Sequence, residues 1–270
     1  MTKEELYAIA DQPIDFQIGK YMSEGFDIYK KNIGGFIGFL ILGFIIYVGI
    51  GIIPIIGGII SPMVMLLLHA GALIVIRKLY HNENVQFNDF FDGFKFAGPI
   101  ITFGIIMFLM LMAVMVPMMM MFFGSILSAG LLEASNLSTM DIELLKSMSW
   151  IMLLICVLIL GIFISYIFSM NILLFINDNF WVAMEGSRKV VFKKFLPILG
   201  FVILLYIISV LSMVFTFGLA AFVVIPWMHA SISAAFEDIY KPSQNNFDSK
   251  IDSFGSFQKD LNTEADEKFY

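Results

Sequence analysis

A chain of 270 residues that is 59% hydrophobic and only 14% charged lies far outside soluble domains, which run at about 45–50% apolar and about 25% charged. Its net charge of −6 leaves no basic face outside the loops flanking the apolar blocks, which argues against nucleic acid as a partner. Cys156 is the only cysteine, so an intramolecular disulfide and a CxxC metal or redox site are both excluded.

Taken in chain order, Thr2 and Glu5 have the spacing of a capping box and predict a short helix over residues 2–11. The first thirty residues are polar and no cleavage motif follows them, so no cleaved leader is expected. Ile18, Met22, Phe26, Tyr29 and Ile33 recur at helical steps and predict an amphipathic helix lying along the membrane surface. The apolar blocks beyond are long enough to cross the bilayer, a crossing needing about 20 residues. Six transmembrane helices are predicted, at about 35–56, 59–80, 98–123, 149–176, 196–216 and 219–240. The first two form a tight hairpin, with Pro54 and then Gly57-Gly58 making the turn. Pro117 lies inside the third span, where neighbouring helices tolerate a kink. The polar stretch 133–147 separates the third span from the fourth. Trp181, Met184, Arg188, Val191 and Phe195 form a second surface stripe, and Gly218 in "TFG" turns the last hairpin. Residues 241–270 read as a mobile tail. The chain thus divides into an N-terminal segment 1–34, a six-span domain 35–240 and the tail.

Fifteen of the sixteen lysines and arginines fall on one side of this arrangement, with Lys146 alone on the other. By the positive-inside rule both termini are expected in the cytosol, with the chain in a bacterial inner membrane. Internal similarity refines the fold class, an all-α integral membrane protein. "EGF" (24–26), "DGF" (92–94) and "EGS" (185–187) each pair an acid with glycine ahead of an odd-numbered span. This predicts three pseudo-repeated hairpins, each entered through an interfacial helix. Between the first and third hairpins, Gly58 matches Gly218, His69-Ala70 matches His229-Ala230 and Tyr80 matches Tyr240, all at one offset. The same register aligns Arg77-Lys78 with Glu237-Asp238. Either these opposite charges meet across a pseudo-axis, or both pairs simply mark the membrane boundary.

His69 and His229 lie eight residues before those charges, about 12 Å along the helix. Ionisable groups inside a membrane point to function. The two rings would be the residues to hold a haem or a metal, or to carry protons. Two ligands without a carboxylate make a meagre metal site, however, and a hydrogen bond to a neighbouring helix is the structural reading. No metal or cofactor is predicted. Asn171 in the fourth span is read as an interhelical hydrogen-bonding residue. The methionine run at 112–121 is read as apolar surface, and no nucleotide loop, HExxH or catalytic triad pattern occurs.

The stretch "FWVAMEGSRKVVFKKFLPILGFVILLYIISVL" followed by "GLAAFVVIPWMHASISAAFEDIY" resembles a broad group of uncharacterised bacterial membrane proteins, similar to the membrane domain of glycerophosphoryl diester phosphodiesterases. The likeness is clearest over 177–240 and extends to 20–97. The catalytic barrel of those enzymes is absent, so what the resemblance implies is a helical membrane module without their activity. The expected function is that of a non-enzymatic membrane subunit, scaffold or regulator whose partners are the lipid bilayer and other membrane proteins. A transporter or channel for a small solute or lipid is one alternative, and a membrane-bound oxygenase another. The oligomeric state does not follow from the sequence.

Overall fold

The computed structural model describes residues 2–13, 15–54, 56–132 and 140–241. Every regular element among them is helical: α1 (Lys3–Ala8), a 3-10 turn (Ile9–Asp11), α2 (Ile18–Lys31), α3 (Ile33–Gly51), α4 (Ile56–Tyr80), a 3-10 segment (Phe87–Phe96), α5 (Ala97–Leu132), α6 (Met140–Ser165), α7 (Ser169–Phe175), α8 (Phe180–Lys193), α9 (Phe195–Phe215) and α10 (Ala221–Tyr240). The expected tail lies outside the described residues, apart from Lys241.

Five helical stretches are long and apolar enough to cross a membrane: Ile33–Gly51, Ile60–Tyr80, Phe87–Met121, Met152–Phe175 and Phe195–Phe215. The expected sixth, α10, has the length but not the apolarity, since it carries Pro226, His229, Ser231, Ser233, Glu237 and Asp238. Two compact units divide the chain. One comprises the described residues up to Thr102 and from Tyr166 on, the other Phe103–Ser165. The second unit holds most of α5 with α6, and turns large side chains such as Met120 and Trp150 outward. α5 is longer than expected and α6 starts earlier. α5 continues past Phe123, and α6 starts at Met140 inside the stretch read as a polar linker.

In the first unit α2 packs along α10, the 3-10 segment along α4, and α8 along α7. Glycines make the first two approaches possible, and a third lets α1 pack closely on α8. A Cβ on Gly25 would strike Ser231, one on Gly93 the backbone of Leu67 and Gly71, and one on Gly186 the side chain of Leu6. These are the three glycines of the acid–glycine pairs.

Two expectations change. The fourth span is not one helix, because the backbone breaks between α6 and α7 at residues 166–168. There the Phe168 N–H donates to Ser187 Oγ of α8 at 3.2 Å, so a side chain from another element replaces a lost helical partner. Second, Gly58 does not turn the first hairpin. It lies in the opening turn of α4 with open space around it, and Gly57 is the constrained one, facing the Ile50 carbonyl. On α2 the face buried against the protein is Tyr21, Gly25, Ile28 and Tyr29, while Phe26 and Ile33 of the apolar stripe stay 44% and 43% exposed. Asn32 separates α2 from α3, its Oδ1 accepting the Gly35 N–H at 3.1 Å.

The other two local expectations hold. Thr2 and Glu5 form the reciprocal capping box. Gly218 sits at φ 89° after Phe217 at φ 52°, and its N–H closes the end of α9 on the Met213 carbonyl at 2.7 Å. Gly218→Ala is therefore expected to lower stability by about 1 kcal/mol or more. Gly58→Ala should leave it unchanged or raise it by up to about 1 kcal/mol. Thermal unfolding of the purified variants in detergent compares the two directly, and equal losses would sink the assignment.

Candidate functional site

Residues eight apart on a helix lie about 12 Å apart along it and within one broad face. On α4 that pair is His69 and Arg77, and on α10 it is His229 and Glu237. The two helices bring both pairs together. The His69 and His229 rings meet edge to face with centroids 4.6 Å apart. Two turns on, Arg77 Nε lies 3.1 Å from Glu237 Oε1, with the two side chains only 3% and 5% exposed. Both contacts join residues 160 apart in sequence.

His229 Nδ1 lies 2.8 Å from the Ile225 carbonyl on its own helix. A carbonyl only accepts, so Nδ1 carries the proton, and Nε2 of the neutral ring is the lone-pair nitrogen. Among the described residues no three His, Cys, Asp or Glu side chains converge as metal ligands. The chemistry of the histidine pair is thus that of two polar rings in contact, one of them anchored to its own backbone.

The ion pair is more elaborate. The Arg77 guanidinium carbon lies 4.5 Å from the centre of the Phe175 ring of α7, a cation–π contact that adds an apolar wall. The other carboxylate oxygen, Glu237 Oε2, lies 3.5 Å from His81 Nε2 just beyond α4. Burial, then Arg77, push the His81 imidazole below its ordinary value.

The next residue on each helix carries the opposite charge to its counterpart and points to a different element. Lys78 pairs with Asp89 of the 3-10 segment at 3.0 Å. Asp238 accepts hydrogen bonds from Tyr21 Oη at 2.6 Å and Lys20 Nζ at 3.1 Å, both on α2. Burial, then that bond to Asp238, hold the Tyr21 hydroxyl above its usual range, so it remains a donor. Trp227 Nε1 adds a bond from α10 to the Met22 carbonyl at 3.0 Å. Asn171 is buried in α7 and accepts from Ser233 Oγ of α10 at 3.2 Å. Tyr240 Oη donates to the Gly186 carbonyl of α8 at 3.2 Å.

The structure therefore gathers His69, Arg77, Asn171, His229 and Glu237 on α4, α7 and α10, while Gly58 and Gly218 lie apart at the hairpin ends of α4 and α10. Sequence reading missed Phe175, Ser187 and the part of His81. The first two carry no pattern of their own, but His81 follows directly on the charged end of α4 and was open to inference. No family model, curated protein or solved structure matches the chain.

Two outcomes follow. Removing one member of a buried ion pair costs about 3–5 kcal/mol, whereas replacing both by apolar residues is often nearly neutral. Arg77→Ala and Glu237→Ala are each expected to lose stability on that scale, and the double variant R77M/E237M to regain most of it. A double variant no better than either single one would show that the pair is not the unit. The second outcome concerns His229. Nitrogen-15 spectra of histidine-labelled protein near neutral pH should show it as the Nδ1–H tautomer. Only three histidines exist, so single asparagine variants assign every signal.

Proposed function

We propose that the chain is a non-enzymatic polytopic membrane protein, a subunit, scaffold or regulator built as six spans in three pseudo-repeated hairpins. The observation that carries this reading is the use to which its buried charges are put. Arg77, Glu237, Lys78 and Asp238 all bind one helix to another. In this reading α10 is the sixth span despite its polar residues, because most of them face α2, α4 and α7 rather than lipid. Each surface helix then packs on the second span of the preceding hairpin. The 3-10 segment packs on α4, α8 on α7, and α2 closes the ring on α10. Equivalent positions serve the same end, since Gly25 meets Ser231 while Gly93 meets Gly71, and positions 71 and 231 are 160 apart. Phe26, Ile33 and Trp181, exposed on the surface helices, would dip into the headgroup layer. Both termini face the cytosol of a bacterial inner membrane, from the charge distribution. The phosphodiesterase resemblance contributes the membrane module and no activity.

A second reading, a transporter or channel, draws on the break between α6 and α7, because discontinuous spans often line substrate sites. Mild-detergent purification separates the two. A stoichiometric membrane-protein partner, lost on deletion of residues 241–270, is the expected result. A lone monodisperse chain that conducts a small solute in proteoliposomes would replace the first reading with the second.

A further inference from the structure

Glu237 stands between two basic groups of unequal access. Arg77 is buried on one side of the carboxylate, at 3.1 Å from Oε1. His81 lies on the other, at 3.5 Å from Oε2, with its side chain 25% exposed. Of the two basic groups flanking the carboxylate, only the imidazole has appreciable exposed surface. We propose that His81 and Glu237 form a proton-binding site reached through His81, and that a proton on His81 loosens the Arg77–Glu237 bridge joining α4 to α10. The ligand is the proton itself. The inference stands on the geometry of α4 and α10 and requires no partner.

The groups that face this site come from each surrounding element. Arg77 and Tyr80 belong to α4, and Glu83 to the loop that follows; Glu83 acts on His81 and favours its charged form. Tyr80 lies within electrostatic reach of Glu24 on α2 and of Glu237 and Asp238 on α10. Burial holds the Glu24 carboxyl above its ordinary value, and its Oε2 is buried without a hydrogen-bond partner. α7 contributes only the Phe175 ring, stacked on Arg77. At the centre of the site the Glu237 carboxylate lies between one permanent cation and one switchable one. When His81 gains a proton, Glu237 answers two cations instead of one, and the imidazolium repels the guanidinium. The bridge between the helices weakens.

The sign follows from linkage. Burial and Arg77 put the folded-state value of His81 below its unfolded value of about 6.5, so the unfolded chain binds more protons in that range. The stability owed to neutral His81 is complete above about pH 6.5 and is lost progressively as the pH falls from there through the lower folded-state value.

The test uses the full chain in lipid nanodiscs. Between pH 8 and pH 5.5 the thermal midpoint of the wild type should fall by about 3 °C more than that of H81N, the scale expected for about 1 kcal/mol in a chain of this size. Nitrogen-15 titration should show His81 taking up its proton at lower pH than a free imidazole. In E237Q, which keeps the shape and removes the charge, that titration should move. Equal falls in midpoint for wild type and H81N would overturn the proposal, as would a His81 titration identical in wild type and E237Q. The H81N arm leaves the buried pair intact, so it decides the matter even if E237Q does not fold.

Discussion

A guanidinium and a carboxylate, each nearly excluded from water, must satisfy one another or neither can stay. Desolvation of a single buried ion costs several kcal/mol, and only close geometry with an opposite charge offsets it. Arg77 Nε and Glu237 Oε1 approach to 3.1 Å, and that contact fixes the separation and register of α4 and α10. A slip of one turn along either helix, about 5.4 Å, would leave both charges stranded. The same register sets the histidine rings edge to face two turns away. It also lets Lys78 and Asp238 turn outward to their separate surface helices. The pair contributes little net stability by itself and a great deal of positional definition.

Small residues supply the second constraint. Between helices in lipid there is no water to expel, so association rests on close packing and hydrogen bonds. Gly25 and Gly93 let their elements come within backbone distance of α10 and α4, and Gly186 leaves room on α8 for the Leu6 side chain of α1. The acids beside them diverge, for Asp92 helps hold Lys78 and Lys95 whereas Glu185 pairs with Arg188 on its own helix. The shared element is therefore the missing Cβ, and the charge beside it is free to serve local needs.

Helical character, the apolar crossings and the 160-residue register were all legible in the sequence, because periodicity and charge report them directly. What escaped notice depended on residues far away in sequence. Nothing in "IFISYIFSM" breaks a helix, having neither glycine nor proline, and the interruption there is bound by Ser187 of α8. The face of α2 that packs on the protein was not legible either, because it is set by partners on α10. Tyr21 and Gly25 face inward because one donates to Asp238 and the other leaves room for Ser231. At the first hairpin the glycine that matters is displaced by one position, Gly57 rather than Gly58, since only contact with the Ile50 carbonyl distinguishes them.

The opposite signs at positions 77 and 237 follow from their contact. Two identical hairpins related by an axis would bring like residues together at that axis. Neutral imidazoles tolerate this, and His69 meets His229 as like against like. Charges do not, because two buried guanidinium groups at that distance would repel with no water to screen them. One copy must therefore become acidic, as Glu237 is. Lys78 and Asp238 do not meet, so no such rule binds them, and each need only complement its own surface helix. Lys78 faces Asp89 and Asp92, whereas Asp238 faces Lys20 and Tyr21. Exchanging the signs of that second position would strand both surface helices while leaving the central bridge intact. The opposite signs at 77 and 237 thus follow from direct contact between the two side chains, and those at 78 and 238 from the elements that pack against each of them.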